Sequence, residues 1–568
     1  MTVPAQYPWA KKYPASVDWS APLPSRPLYE IFDQSAKNYP NNLFLDFLGK
    51  TYTYGEIAGQ IARAAKGLQN LGVKKGDRVG LFLPNSPFYV IAYFAVLKIG
   101  GIVVNFNPLY AEREVEHQIE DARATIMITV DVPSCFGKLS SLVGKTCLKK
   151  IIVGRMVDIL PTPLSFLYRI LKRSEISSVP HNDVNMMFAD LLANDGAFVP
   201  AIIDPMTDIA VLQYTGGTTG VPKGAMLSHS NLYVNTHQSR LWFPHVEMGQ
   251  EKMLGVLPFF HVFAMTVVMN LTVLIGGAII MLPRFELAQV VKVIHKKRPT
   301  LFPAVPTIYT AINHYKKLAH YNLRCIKYCF SGGAPLPAEV KRDFERLTGC
   351  VLVEGYGLSE TSPVTHGNPL EGENKTGSIG LPVPGTIIEI VSLDDRKTLM
   401  PHGESGEICI RGPQVMLGYW QHPEETAGVM DDTPEGKRLH TGDVGYLDED
   451  GYTFIVDRIK DMIAAGGFKV YPRHVEEAIY LHPAVEECIV AGVPDEYRGQ
   501  TVKAFIKLRE GAELSADDLK AFLKDKLSPI EMPKKIEFRG SLPKTLIGKL
   551  SRKMILEEEA AKAAQAKA

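Results

Sequence analysis

A glycine- and threonine-rich stretch between Tyr214 and Gly224 has the residue types needed to bind a phosphate. Its glycines let the backbone turn tightly and bring N–H groups close to an anion. The threonine hydroxyls add donors and one lysine adds positive charge, which together make a flexible anion cradle. The spacing is not that of a Walker loop, and an ordinary hairpin or linker is the alternative. The predicted phosphate ligands are Thr215, Gly216, Gly217, Thr218, Thr219, Gly220 and Lys223.

Six further motifs follow this loop in order along the chain. They are Pro-Phe-Phe-His (258–261), Ser-Gly-Gly-Ala-Pro-Leu (331–336), Tyr-Gly-Leu-Ser-Glu-Thr (356–361), Thr-Gly-Asp (441–443), Gly-Gly-Phe-Lys-Val (466–470) and Pro-Lys-Thr-Leu-Ile-Gly-Lys (543–549). The ordered set resembles the adenylate-forming superfamily, which includes acyl-CoA synthetases, luciferases and peptide-synthetase adenylation domains. The resemblance spans most of the chain, from about Thr51 to Lys553.

The resemblance implies ligand contacts for these motifs. Phe260 and His261 line the acyl site, although a lone histidine beside apolar residues is often a core or rim residue. Gly333 and Ala334 border the adenine. The remaining nucleotide contacts that the resemblance implies are Tyr356 stacked on adenine beside Gly357, Thr361 on the α-phosphate, and Asp443 and Arg458 on the ribose.

Two charged residues carry the chemistry that the resemblance implies. Adenylation places a carboxylate against the α-phosphate of ATP, so two anions must meet. Mg²⁺ held by Glu360 and the ammonium of Lys549 can neutralise the developing charge. The predicted catalytic residues are therefore Lys549, Glu360 and Thr361. Taken alone, Glu360 would be a surface carboxylate and Lys549 a solvated lysine, but the order of the motifs favours the functional interpretation.

A dense charged connector, Asp457 to Asp461, precedes the last part of the chain. In the resembling family the C-terminal domain rotates about a hinge between two half-reactions, and the hinge position corresponds to Lys460. A hinge of a few residues that absorbs φ/ψ changes is a common switching device. In one pose Lys549 enters the site, and in the other Gly466 and Gly467 form a channel for coenzyme A. The alternative for the connector is a solvated charged turn.

The predicted function is an ATP-dependent long-chain fatty acid–CoA ligase that uses ATP, Mg²⁺ and coenzyme A. The usual loop motif has serine where this chain has Gly216, and glycine at this position is similar to bacterial long-chain fatty acid–CoA ligases. Another acid, aryl or medium-chain, or another acceptor such as a carrier protein, is the main alternative. A catalytically silent binder is disfavoured because Glu360, Asp443, Arg458 and Lys549 are all present.

The elements that must position these residues are predicted from hydrophobic periodicity. Thr53 to Glu56 forms a capping box before a helical pattern, and short apolar strands then alternate with helices, which favours parallel α/β layers. The predicted fold is α/β: a large N-terminal domain (1–457) with a small β-rich subdomain (about 377–457). A hinge at 458–460 joins it to a small, mobile α+β C-terminal domain (461–568).

Composition limits the partners. The 568 residues carry a formal net charge of +1, so no global field favours nucleic acid, and none is expected as a partner. Seven widely spaced cysteines suit reduced thiols, and no signal peptide is recognised at the N-terminus. We therefore expect a cytoplasmic protein, with peripheral contact at the inner face of the cell membrane and a homodimer as further options.

Two apolar segments need a separate interpretation. Ala264 to Leu282 approaches membrane-spanning length, but polar residues and Gly276-Gly277 interrupt it, so we predict a buried helix, a turn and a buried strand. Ile151 to Arg173 mixes apolar and basic residues. A surface helix packed on its own domain is the favoured interpretation, and a membrane-surface segment is the alternative.

Overall fold

The computed structural model describes residues 7–215, 222–434, 436–465, 468–495, 499–544 and 550–565. The chain divides by its contacts into two units, one of residues 1–387 with 411–439 and one of 388–410 with 440–568. The α/β fold class with a large N-terminal and a small C-terminal part is confirmed. The division groups 388–410 and 440–457 with the C-terminal residues, and the domain boundary at 457 stays a prediction.

The strands and helices of the described chain are numbered in sequence order. The strands are β1 (Leu43–Phe47), β2 (Lys50–Thr53), β3 (Arg78–Leu81), β4 (Ile102–Asn105), β5 (Ile126–Val130), β6 (Lys150–Gly154), β7 (Asn185–Met187), β8 (Ile209–Thr215), β9 (Lys223–Ser228), β10 (Lys252–Gly255), β11 (Ala278–Met281), β12 (Tyr328–Ser331), β13 (Val351–Gly357), β14 (Val364–Gly367), β15 (Leu381–Pro382), β16 (Ile387–Val391), β17 (Gly406–Arg411), β18 (Met430–Thr433), β19 (Gly436–Leu447), β20 (Thr453–Arg458), β21 (Ile463–Ala465), β22 (Phe468–Val470), β23 (Val485–Asp495), β24 (Gly499–Leu508) and β25 (Lys535–Phe538). The helices are α1 (Glu30–Asn38), α2 (Tyr54–Asn70), α3 (Pro87–Lys98), α4 (Glu112–Ala122), α5 (Lys138–Leu142), α6 (Thr162–Leu171), α7 (Phe188–Leu191), α8 (His229–Trp242), α9 (Leu271–Leu274), α10 (Leu287–Lys297), α11 (Pro306–Asn313), α12 (Ala338–Thr348), α13 (Pro423–Val429), α14 (Pro472–Tyr480), α15 (Ala516–Leu523) and α16 (Arg552–Gln565).

One sheet of the first unit runs in the order β7-β6-β5-β3-β4-β8-β9. Its pairs are parallel from β7 to β8, and β9 returns antiparallel to β8. Strand β4 is buried along its whole length, and α3 is buried on nearly every side. Strands of a parallel sheet are covered on both faces, so they read as short, almost wholly apolar runs.

Two further sheets complete the first unit, in the orders β10-β11-β1-β2 and β12-β13-β14-β15. Strands β12 and β13 are parallel, with Ser331 opposite Glu354. Strand β14 then turns back antiparallel along β13. Because parallel strands end at the same sheet edge, the segments that follow β12 and β13 lie side by side.

Local signals placed several elements correctly. Thr53 caps α2 as predicted, because its hydroxyl accepts from the Glu56 N–H at 3.2 Å while the Glu56 carboxylate accepts from the Thr53 N–H at 2.7 Å. The apolar segment from Ala264 forms a π-helix (Ala264–Asn270), α9, a turn and β11, almost entirely buried. That prediction is confirmed. Across the described part of the chain, no helix combines the length and apolarity that crossing a bilayer needs.

The second unit contains two sheets. Strands β16, β17 and β19 lie in that order, and β20 pairs with β19. The other sheet has the order β22-β21-β24-β23, with β25 parallel to β24. Helices α14 and α15 bury apolar residues against it, among them Val475, Ile479 and Leu519. This small α+β body has its own apolar core, as an independently moving domain requires.

Two fully buried histidines make the first unit sensitive to acid. His229 accepts the Leu28 N–H at 3.0 Å through Nδ1, which fixes the neutral ring. Burial lowers the pKa of His229 to about 4 and that of His366 to about 3. The unfolded chain takes up these protons below about pH 6.5, whereas the folded chain does not until the pH reaches the lowered values. Stability is therefore unaffected above about pH 6.5 and falls with decreasing pH below it.

We expect each of the two groups to remove about 1.4 kcal/mol of stability per pH unit below about pH 6.5. Thermal unfolding followed by circular dichroism from about pH 7 to about pH 5 measures the slope. His229→Gln keeps an acceptor for the Leu28 N–H and should make this slope shallower. The matched control is His402→Gln at an exposed position, and equal slopes in both variants would contradict the account.

Candidate active site

The predicted phosphate loop connects the antiparallel strands β8 and β9. Thr215 and Lys223 face each other where the two strands meet this loop. The predicted ligands Gly216, Gly217, Thr218, Thr219 and Gly220 lie outside the described residues. Lys223 Nζ lies 3.8 Å from Glu425 Oε1 and 5.6 Å from the centre of the Tyr419 ring. The lysine is thus held by one carboxylate and one aromatic face.

The loop carrying Phe260 and His261 follows β10 and is fixed by a buried asparagine. The Phe259 N–H donates to Asn85 Oδ1 at 2.8 Å, and Asn85 Nδ2 donates to the Leu257 carbonyl at 2.8 Å. Phe260 and His261 are half-buried, while Phe259 is fully buried against Tyr89. This placement leaves part of each predicted acyl-site side chain accessible.

A chain of neutral hydrogen bonds ties the same loop to the parallel sheet. The Tyr89 hydroxyl donates to Asn105 Oδ1 at 2.7 Å, and Asn105 Nδ2 donates to Gln213 Oε1 at 2.9 Å. Gln213 Nε2 then donates to the Phe260 carbonyl at 3.0 Å. Asn105 and Gln213 end or nearly end β4 and β8, so the carboxyl edge of the sheet sets the loop position. Buried polar groups satisfied in this way hold one arrangement.

The predicted adenine-side residues lie at the ends of β12 and β13. Gly333 follows β12 with φ +82°, a conformation that favours glycine. At Gly357 a Cβ atom would come within 1.9 Å of the Pro363 carbonyl oxygen, so a side chain cannot fit. Tyr356 is half-buried, and its ring centre lies 5.8 Å from that of His366. Ala334 is half-buried beside Gly333.

Glu360 is positioned by two contacts with the segment after β17. The Tyr419 hydroxyl donates to Glu360 Oε1 at 2.7 Å, and the Met416 N–H donates to the Glu360 carbonyl at 2.8 Å. Burial and the nearby carboxylate raise the pKa of Tyr419 well above its usual value, so the hydroxyl keeps its proton. Tyr419 thus touches both Glu360 and Lys223, two residues far apart in sequence. Sequence reasoning missed it, since no motif marks its position.

Thr361 departs from the expectation. Its side chain is fully buried, and its hydroxyl lies 2.6 Å from the Pro363 carbonyl and accepts the Leu358 N–H at 3.0 Å. This hydroxyl closes a short 3₁₀ turn, Ser359–Thr361, which argues against the predicted contact with a phosphate. Ser359, half-buried and next to Glu360, has the same hydroxyl chemistry in a more accessible place.

In the second unit, the predicted ribose residues meet across two strands. Asp443 on β19 lies opposite Arg458 at the end of β20, and Arg458 Nε donates to Asp443 Oδ1 at 3.1 Å. The Asp443 side chain is 5% exposed and that of Arg458 50% exposed. Bringing these two residues together places a carboxylate and a guanidinium, both suited to binding hydroxyl groups, at one point.

Glu407 supports the turn that carries Asp443 and was also missed from the sequence. Its carboxylate accepts the Gly442 N–H at 3.0 Å and lies 2.8 Å from His440 Nδ1. Burial raises the pKa of Glu407, but His440, Arg396 and the Gly442 N–H outweigh it and the net pKa is lowered. The Thr441 hydroxyl donates to the Ile408 carbonyl at 2.7 Å. The 441–443 turn is thereby anchored to β17.

The predicted hinge lies in a 3₁₀ turn, Ile459–Asp461, between two acidic residues bound by one arginine. Arg552 Nη1 lies 2.7 Å from Asp461 and 3.9 Å from Asp457, and Nη2 lies 2.8 Å from Glu476. The Arg473 N–H also donates to Asp457 at 2.6 Å. Asp457 precedes Lys460 in the chain, while Arg473 and Arg552 follow it. The Lys460 hinge itself stays a prediction.

The described site residues form two groups, one in each unit. Glu360 and Lys223 meet at Tyr419, and Asp443 meets Arg458. The predicted coenzyme A residues Gly466 and Gly467 and the predicted catalytic residue Lys549 lie outside the described residues. The described residues on either side of 545–549 lie close together, since Lys544 and Leu550 form a β-bridge. Phosphate-loop and lysine assignments therefore remain sequence predictions.

Two family models match the chain. The model for AMP-binding enzyme covers residues 32–420, and that for AMP-binding enzyme C-terminal domain covers residues 474–549. A long-chain-fatty-acid–CoA ligase of Bacillus subtilis is 46% identical over 558 residues, 98% of each chain. One from Escherichia coli is 36% identical and covers 97% of this chain and 98% of its own.

Solved structures show the same architecture. The ATP-bound crystal structure of MatB from Rhodopseudomonas palustris superposes with a TM-score of 0.81 at 28% identity, covering 93% of this chain and 98% of that one. The anthranilate CoA ligase AuaEII with anthranoyl-AMP gives a TM-score of 0.83 at 26% identity, covering 96% of this chain and all of its own. The likeness therefore extends over both units.

Proposed function

The chain belongs to the AMP-binding enzyme family, and from that premise we propose that it joins long-chain fatty acids to coenzyme A. In the first step a carboxylate oxygen attacks the α-phosphorus of ATP, and pyrophosphate leaves. In the second step the thiol sulfur of coenzyme A attacks the acyl carbon, its proton is released and AMP leaves. The main support for this proposal is the 46% identity to a long-chain-fatty-acid–CoA ligase over 98% of both chains.

We assign the nucleotide phosphates to the β8–β9 hairpin and its loop. Lys223 supplies positive charge where β9 leaves that loop, opposite Thr215. The half-buried Ser359, next to Glu360, is the hydroxyl we assign to the α-phosphate in place of the buried Thr361. Tyr356, Gly333 and Ala334 border the adenine in this proposal, since Gly357 and Gly333 keep the neighbouring backbone free of side chains.

Asp443 and Arg458 receive the ribose hydroxyls in this proposal. A carboxylate accepts hydrogen bonds from a pair of hydroxyls, and a guanidinium donates to them. Support comes from their 3.1 Å contact and from the Glu407 anchor under the turn. The loop of Phe260 and His261 would receive the acid.

Mg²⁺ would be held by Glu360. The site passes a simple test of fit, because Mg²⁺ on a nucleotide needs only one or two protein carboxylates beside phosphates and water. Glu360 is such a carboxylate, half-buried and oriented by Tyr419. The ion supplies charge neutralisation when two anions approach. Glu360 would hold the ion, and the Tyr419 hydroxyl fixes the orientation of the Glu360 carboxylate.

The substrate assignment is tested by AMP release with acids of increasing chain length, with and without coenzyme A. We expect release to rise toward long saturated acids and to depend on coenzyme A for turnover. A maximum with short or aromatic acids would contradict the assignment of a long-chain fatty acid as substrate. Equal turnover with a carrier protein as sole acceptor would contradict the assignment of coenzyme A as acceptor.

Tyr419→Phe tests the metal assignment. Removing the hydroxyl frees Glu360 Oε1 from its 2.7 Å partner, and loss of such an outer contact lowers metal affinity by about ten-fold or more. We expect the Mg²⁺ concentration for half-maximal pyrophosphate exchange to rise by that factor. Tyr446→Phe, whose ring stacks on Phe454, serves as control. An unchanged Mg²⁺ requirement in Tyr419→Phe would contradict the assignment.

A further inference from the structure

Helix α6 (Thr162–Leu171) turns its apolar side away from the protein. Each of its ten residues is at least partly exposed. The exposed fractions are 39% for Leu164, 66% for Phe166, 48% for Leu167, 59% for Ile170 and 71% for Leu171. Isolated exposed apolar residues are common on proteins, but a contiguous row of this kind marks an interaction surface. These exposed fractions favour the alternative given by the sequence, a membrane-surface segment, over a helix packed on its own domain.

The orientation of α6 is the reverse of that of an ordinary surface helix. The less exposed residues of the segment are Pro161, Ser165 and Tyr168, which recur at helical spacing and mark the side toward the protein. At about 100° per residue, the five exposed apolar residues fall within an outward arc of about 160°. The side toward the protein thus carries a proline, a serine and a tyrosine, whereas the five large apolar side chains of α6 face outward.

Basic residues border this apolar face. Arg169 lies about 60° beyond one edge of the arc, and Lys172 and Arg173 follow directly after the helix. The helix itself contains no acidic residue, and residues 155–175 hold four basic against two acidic side chains. One of those two, Glu175, pairs with Lys172, and the other, Asp158, pairs with Arg155. The local charge is thus positive, although the whole chain is nearly neutral.

We propose that α6 is an interfacial helix that docks the enzyme on an anionic phospholipid bilayer, with its apolar arc in the acyl-chain boundary and Arg169, Lys172 and Arg173 on the headgroups. An amphipathic helix with large apolar residues on one side and basic residues on the flank lies in the interface plane in this way. A second copy of the chain fits less well, because the helix offers no acidic partner for its own basic edge.

Contact with a bilayer would raise the supply of substrate, an argument that rests on the proposed function. A long-chain acid partitions into bilayers, because each methylene group buried there adds favourable transfer free energy. An enzyme held at that surface meets its acid at a raised local concentration. Binding of the protein to lipid is measured without ATP, acid or coenzyme A, so it succeeds or fails independently of the ligase assignment.

The test is flotation of the full chain with phosphatidylcholine vesicles, with and without about one quarter phosphatidylglycerol. We expect binding to the anionic vesicles, weakened by salt. Phe166→Ser with Ile170→Ser should lower the partition coefficient by about ten-fold or more, since two large apolar side chains leave the interface. Arg169→Gln with Arg173→Gln should abolish the preference for anionic lipid.

The matched control is Val199→Ser with Ile202→Ser, which removes two apolar side chains that are 71% and 91% exposed elsewhere on the same unit. Equal loss of binding in the control would overturn the proposal, as would full binding by the Phe166/Ile170 variant. Light scattering on the same proteins detects self-association. A change of oligomeric state in the Phe166/Ile170 variant without a change in vesicle binding would assign the face to a second copy instead.

Discussion

Lys549→Ala is expected to abolish acid-dependent pyrophosphate exchange while sparing thioester formation from preformed acyl-adenylate. Exchange reports the first half-reaction, in which a carboxylate and the α-phosphate approach each other. Removing one positively charged stabiliser of such a transition state lowers the rate by about 10²–10³-fold. The predicted hinge assigns the second half-reaction to another pose, in which Lys549 is not needed.

Lys544→Ala is the matched control for that substitution. Lys544 is the last described residue before 545–549, and it forms a β-bridge with Leu550 and an ion pair with Glu487. Its removal takes away an equal charge nearby, so exchange within about two-fold of wild type is expected, as for a surface ion pair. Exchange at a near wild-type rate in Lys549→Ala would remove the lysine from the mechanism.

Lys460→Pro is expected to block thioester formation much more than adenylation. Proline fixes φ near −65° and removes the N–H, and it restricts Ile459 as well, so the connector loses the freedom that rotation requires. A reacting thiol held even about 1 Å from its place reacts roughly a hundred-fold more slowly. Separate assays of pyrophosphate exchange and of acyl-CoA release from preformed adenylate measure the two steps.

Contacts around the hinge give this prediction a structural form. Asp457 accepts the Arg473 N–H at 2.6 Å and lies 3.9 Å from Arg552. The predicted rotation about Lys460 would separate Asp457 from these two partners, which follow the hinge in the chain, whereas Arg552 and Asp461 would move together. Lys460→Ala keeps backbone freedom and serves as control. Similar losses of both half-reactions in Lys460→Pro would contradict the hinge.

Much of the fold could be predicted because each helix or strand carries its own pattern of apolar residues in the sequence. Strand β4 (Ile102–Asn105) and helix α14 (Pro472–Tyr480) are two such elements. Both have short apolar patterns bounded by turn residues, which local physics interprets well. The grouping of 388–410 with the C-terminal residues had no such local signal, because it depends on pairings far apart in sequence.

The site residues divide in the same way. Glu360, Asp443 and Arg458 could be named because they belong to ordered motifs. Tyr419 and Glu407 could not, since they act by touching residues about sixty and thirty-five positions away, at Glu360 and Gly442. The role of Thr361 stays a prediction, because residue type alone does not show whether a hydroxyl turns inward, as this one does. On α6, an apolar pattern predicted a helix, but its spacing does not tell which side faces the protein.

The chain of hydrogen bonds from Tyr89 through Asn105 and Gln213 to the Phe260 carbonyl contains no ionised group. Salt screens charges and leaves neutral amide contacts nearly untouched. Nucleotide binding and the position of the Phe260 loop should therefore respond differently to salt concentration. Recognition of the triphosphate should shift with ionic strength, as any charge-based contact does, while the loop predicted to face the acid should keep its shape. A change in salt concentration should therefore shift nucleotide affinity while acid selectivity stays the same.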